Sequence, residues 1–143
     1  MQAAKKLSRV NSNPKIRVLI ADNDQTSLFL IASQLEDMDY DVVTADNGFE
    51  ALKILKALKQ VDAIILNLDM PGMNGMEVAR RIKLDDRFTN IVVIFASEPD
   101  VPKRIKESVG LGVFYHLTKP LVREVLKTII STAMKDMDKE KNF

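Results

Sequence analysis

A doubly wound α/β fold of (βα)5 type, with a five-stranded parallel sheet between layers of helices, is what this 143-residue sequence predicts. Three observations predict it: apolar runs of strand length recur, stretches with helical spacing separate them, and polar residues capable of chemistry follow the runs directly. The runs are Ile16 to Ala21, Tyr40 to Ala45, Val61 to Leu66, Ile91 to Ala96 and Val113 to Leu117. Most lack the period-two alternation of a half-exposed strand, so they read as strands covered on both faces.

Between them, Leu28, Ile31, Leu35 and Met38 fall on one helical face, and Ala51, Ile54, Leu55 and Leu58 on the next. Val78, Ala79 and Ile82 make a third, Val101, Ile105 and Val109 a fourth, and Val122, Val125, Ile129 and Ala133 a fifth. Asn47 with Glu50 and Asn74 with Glu77 have the spacing of a helix N-cap and its reciprocal acid. Pro102 suits the first turn of the fourth helix, where a missing N–H costs little. Strand then helix, repeated, demands right-handed crossovers with each helix burying its stripe on the sheet.

Residues 1–15 carry Lys5, Lys6, Arg9 and Lys15, no acid and too few apolar residues for a core element, and are expected to form a mobile basic arm. Residues 16–137 form the domain, and 138–143 a charged tail that continues the last helix and then frays. With 21 Lys plus Arg against 20 Asp plus Glu, no overall field draws the chain toward nucleic acid or an anionic membrane. The absence of Cys excludes disulfides, thiol catalysis and thiolate metal sites, and a single His argues against zinc. No apolar run reaches the roughly 18 residues of a membrane span, and no signal-peptide core follows the basic N-terminus, so a cytoplasmic protein is expected.

In open α/β sheets, sites form beyond the carboxyl ends of the strands. There the sequence places Asp22-Asn23-Asp24, Asn67-Leu68-Asp69-Met70-Pro71-Gly72, Phe95-Ala96-Ser97 and Thr118-Lys119-Pro120. An acidic pocket facing one lysine is the natural assembly. A nucleotide-binding protein of this class would instead offer Gly, Ser or Thr after the first strand.

With VLIADND at 18–24, DNGFEAL at 46–52, Leu66 through Met70-Pro71-Gly72-Met73-Asn74-Gly75, and Leu117-Thr118-Lys119-Pro120, the sequence resembles the receiver domain of two-component response regulators from about Lys15 to Met137. The resemblance implies a flavodoxin-like strand order, 2-1-3-4-5, and a cis bond before Pro120. It also implies an acidic pair that binds Mg²⁺ and an aspartate after the third strand that takes a phosphoryl group. A Ser or Thr after the fourth strand would follow the phosphate, an aromatic on the fifth would switch with it, and a Lys would contact it. Matched residue by residue, the acceptor position falls on Asn67, the acidic pair on Asp22 and Asn23, the hydroxyl position on Phe95, the aromatic on His116 and the lysine on Lys119.

An amide nitrogen is no nucleophile, because its lone pair is delocalised, whereas phosphoryl transfer needs an anionic oxygen. With Asn23 neutral, Asp22 is the remaining side-chain ligand for Mg²⁺ and binding should be weak; no other cofactor is expected. Asp69, the other carboxylate near the third strand, could accept a phosphoryl group only from a shifted loop. The expected function is therefore that of a degenerate receiver, a non-enzymatic signalling or scaffold module that acts by protein contact without phosphorylation. The alternative is a phosphorelay receiver bearing an Asp-to-Asn change at its acceptor, and a third reading is a small-ligand sensor using the vacated phosphate site. Expected partners are proteins, a histidine kinase or an output protein, or a second copy. The resemblance points to the face of the fourth helix, fifth strand and fifth helix, where Arg104, Lys106, Glu107, His116, Arg123 and Lys127 give a basic balance. No nucleic acid or membrane partner is expected.

Overall fold

Each of the five apolar runs becomes a strand: β1 Arg17–Ala21, β2 Asp41–Ala45, β3 Ala63–Asn67, β4 Val92–Ser97 and β5 Val113–Thr118. The computed structural model describes residues 15–99 and 110–141, with 138–141 described by backbone alone. All five strands are parallel, in the order β2-β1-β3-β4-β5. β3 and β4 are buried at every residue, which is why their sequences read as unbroken apolar runs.

Period-two alternation is present nonetheless, hidden because both faces are covered. Leu19, Ile64, Leu66 and Phe95 point to one face and pack on the helices α2 (Gly48–Ala57) and α3 (Gly75–Leu84). Val18, Ile20, Ile65 and Ile94 point to the other and meet α1 (Gln25–Asp37) and the last described helix, α4 (Arg123–Lys141). A short 3-10 turn, Asp86–Phe88, joins α3 to β4.

The N-caps form where the asparagines stand. Asn47 Oδ1 accepts from Glu50 N at 2.8 Å, and Asn74 Oδ1 from Glu77 N at 2.9 Å. The Glu77 carboxylate turns to Arg80 at 2.6 Å and Arg81 at 3.2 Å, one turn along the exposed face. The faces of α1 and α3 are those predicted: Leu28, Ile31 and Leu35 are buried on the first, Val78, Ala79 and Ile82 on the second.

The last helix differs. Leu126, Ile130 and Ala133 face the core, while Val122 and Val125 are exposed. Two apolar stripes with helical spacing run side by side here, and periodicity cannot say which one meets the sheet. The helix continues to Lys141. Of the basic arm, residues 1–14 lie outside the described residues, and Lys15 pairs with Asp39 at 2.9 Å. The fourth helical stretch, with Pro102 and its apolar positions, lies outside them too.

Candidate functional site: a crevice closed by its own side chains

The carboxyl ends of β1, β3 and β5 bring Asp22, Asn67 and Lys119 together at the edge of the sheet. Asp22 follows β1 directly and is 1% exposed, and Asn67 ends β3 at 8%. Lys119 lies beyond β5, its backbone N–H donating to Ser97 O at 2.8 Å and its bond to Pro120 cis.

Lys119 Nζ donates to Asp22 Oδ2 at 2.6 Å and to Ser27 Oγ at 3.3 Å. The side chains of this ion pair are 12% and 2% exposed, so neither charge is screened by bulk water. Asp22 Oδ1 accepts from Asp24 N at 2.9 Å and from Asn67 Nδ2 at 3.2 Å. Asn67 Nδ2 donates further to Asn23 Oδ1 at 3.0 Å and to the Asp69 carbonyl at 3.3 Å. Three acceptors around one atom dictate that it is the amide nitrogen. A carboxylate, a neutral side-chain oxygen and a main-chain oxygen thus converge on a donor of the protein itself.

Asp24, expected in the acidic pocket, does different work. Its carboxylate caps α1, accepting from Thr26 N at 3.0 Å and Ser27 Oγ at 3.1 Å. Asp69 is exposed, and it is its carbonyl that faces Asn67.

Phe95 does not reach the crevice. Strand register pairs Asn67 with Ala96 and Leu66 with Phe95, so Phe95 lies one residue short and is wholly buried in the core. At the level of Asn67, β4 carries a methyl group, and the hydroxyl of Ser97 comes one residue later. Counting along a run of apolar residues cannot detect a one-residue offset, because every residue of β4 is buried.

His116 also differs from expectation: it is turned inward. β5 carries an extra residue, with Val93 paired to Val113 and Ile94 to Tyr115, and this bulge sets His116 opposite Phe95. Its Nε2 lies 2.7 Å from the Oγ of Ser97, which is 1% exposed, and its ring meets Phe95 edge-on at 6.0 Å. Nδ1 is buried without a partner among the described residues. Tyr115 beside it on the strand is exposed, whereas His116 is half-buried and bonded inward, so the basic surface loses His116. Arg123 pairs with Asp37 on α1 at 3.5 Å; Arg104, Lys106 and Glu107 lie outside the described residues.

Burial holds the His116 imidazole below its ordinary value of 6.5. As pH falls, the unfolded chain therefore takes up this proton before the folded one does, so the contribution is complete above about 6.5 and declines below it. Melting temperatures at pH 7.5 and 5.5 should show a drop in the wild type that His116→Phe reduces. Asp85, held at about 2 by Arg87, titrates far below this window.

The donor set does not fit a divalent cation. Such an ion is held by oxygens, one or two of them carboxylates. Here Asp22 is neutralised by Lys119, Asn23 is uncharged, and Asn67 presents N–H bonds where a metal requires lone pairs. Among the described residues, no group of three or more His, Cys, Asp or Glu could hold a metal ion.

Five parallel strands in the order 2-1-3-4-5, with a lysine, an aspartate and a strand-three polar residue meeting at their carboxyl ends, define a receiver. Residues 18–131 match the response regulator receiver domain, and the chain belongs to that family. Chemotaxis protein CheY1 of Helicobacter pylori is 28% identical over 113 residues, covering 78% of this chain and 91% of that protein. Two-component response regulator ARR12 of Arabidopsis thaliana is 34% identical over 115 residues, 80% of this chain but 19% of the larger protein. A receiver domain protein from Clostridium thermocellum superposes with a TM-score of 0.77 at 26% identity, covering 88% of this chain and 97% of its own. A CheY-like protein from Methanospirillum hungatei gives 0.80 at 22% identity, over 88% and 98% of the two chains, and shares the fold. The chain is thus a receiver of two-component signalling, a class of signalling module that works with protein partners such as kinases and output domains. Among the described residues no helix is long and apolar enough to cross a membrane.

Proposed function

We propose that this receiver signals by protein contact without being phosphorylated, with Asn67 standing where the family carries its phosphoryl acceptor. The observation that carries the reading is the Asn67 amide, whose nitrogen donates to Asp22, Asn23 and the Asp69 carbonyl. These oxygens come from the positions that hold the family's Mg²⁺, so the amide takes the cation's place as their common partner. Lys119, at the phosphate-contacting position, is bound to Asp22. The crevice is satisfied without a ligand.

The positions that would respond to a phosphate support the same reading. Ala96, level with Asn67, has no hydroxyl to follow one. His116, at the switch position, is tied to Ser97 across the strand pair, which favours a single conformation of this edge. Such a domain acts through the surface it presents, and its state is set by a partner that binds one conformation better than another.

Incubation with a small phosphodonor and Mg²⁺, read by intact mass, tests this. The wild type should gain no phosphoryl group, and Asn67→Asp should gain little, because Asn23 and Ala96 still leave metal and phosphate poorly held. Rapid Mg²⁺-dependent labelling of Asn67→Asp would establish instead a working phosphorelay receiver altered at one residue. Labelling of the wild type would direct attention to Asp69.

A further inference from the structure

We propose that the cavity between α1 and the loop carrying Lys119, Pro120 and Leu121 is a binding site for a small organic ammonium ion. Its volume is about 300 Å³, at the lower end for ligand pockets, and Leu30, Ile31, Pro120 and Leu121 give it apolar walls.

The chemistry follows from which polar groups retain bonding capacity. Lys119 and Ser27 line the cavity with most of their donors committed: Lys119 Nζ gives two of its three N–H bonds to Asp22 and Ser27, and Ser27 Oγ donates to Asp24. Gln34 donates through Nε2 to Leu121 O at 3.1 Å, which fixes the amide and leaves Oε1 as a buried acceptor with no donor among the described residues. Glu98, which also lines the cavity, is exposed, and its carboxylate makes no hydrogen bond or ion pair with another described residue. Beyond the one remaining N–H of Lys119, these two acceptors are the uncommitted side-chain groups among the described residues that line the cavity. Among the described residues Lys119 and Asp22 cancel, so the cavity is left with the negative charge of Glu98.

An anion would meet Glu98 while the described cation, Lys119, is already paired to Asp22, and a hydrocarbon would leave both acceptors unpaired. A ligand with an apolar body and a positively charged N–H donor satisfies walls and rim together. Because Lys119 lines the cavity while bound to Asp22, occupancy would be felt at the crevice, which gives the domain an input of its own. The site stands on the cavity's residues and is independent of how Asn67 is read.

Titration of the ¹⁵N-labelled protein with benzylammonium, benzoate and benzyl alcohol isolates the charge on one ring. Benzylammonium should shift the amides of Ile31, Gln34 and Leu121 saturably, with a Kd on the order of 1 mM; benzyl alcohol should bind several-fold more weakly and benzoate not at all. Glu98→Gln, at an exposed position, should weaken benzylammonium at least about fivefold with the spectrum otherwise unchanged. Equal binding of benzoate, no effect of Glu98→Gln, or no saturable shift at these amides would overturn the proposal.

Discussion

Lys119→Met should lower stability at pH 7 by about 3 kcal/mol, the low end for removing one partner of a buried ion pair. For a domain of this size that is a fall in melting temperature on the order of 10 °C. The cost arises at Asp22, 1% exposed, whose Oδ2 would lose its charged partner while Oδ1 kept the N–H bonds from Asp24 and Asn67. The double variant Asp22→Asn, Lys119→Met should therefore be more stable than Lys119→Met alone, since a neutral amide can remain in the pocket without a cation. Equal stability of the two would mean that the loss comes from packing around the Lys119 stem. Thermal melts of three proteins decide between them.

Gly75→Ala should be nearly as damaging, at about 2–3 kcal/mol. In an ordinary helix this change gains up to about 1 kcal/mol. Here a Cβ would overlap the carbonyl oxygen of Asn67 and stand 3.1 Å from Leu68 Cα, both backbone atoms that no rotamer change can move aside. Gly75 N–H also donates to Leu68 O at 3.1 Å, so the start of α3 is drawn tightly against the end of β3. Displacing it displaces Asn67, and the amide should lose its acceptors together with the helix its seat. A destabilisation below about 0.5 kcal/mol, within the range of ordinary surface changes, would show that this approach is not tight.

Much of the fold was legible in the sequence because its signals are local. Asn47 and Asn74 sit three residues before an acid, and both cap helices; the apolar runs are strands. The site's members were legible as well, since Asp22, Asn67 and Lys119 each follow a strand. What joins them was not. The acceptors of the Asn67 amide include side chains 44 and 45 residues away, and nothing in the local sequence says that a nitrogen will point at them. Phe95 was misplaced because β4, buried at every residue, gives no alternation to count, and His116 because an added residue shifts the pairing of β5. The one-residue offset of β4 against β3 and the extra residue in β5 are therefore invisible until the strands are paired. In the last helix, two apolar stripes competed for the sheet, and only packing chose Leu126 and Ile130.

The central claim is that the crevice is closed by its own side chains, with the Asn67 amide in the place of a cation. Its most direct test is the melting temperature of the wild-type protein titrated with Mg²⁺ to about 10 mM at constant ionic strength. A ligand that binds only the folded state raises stability once its concentration exceeds its Kd. The account predicts a change of less than about 1 °C over the whole range, because no pair of free carboxylates is present to dehydrate the ion. A saturable rise of several degrees that Asp22→Asn abolishes would contradict it, showing that the crevice opens to a metal despite Asn67.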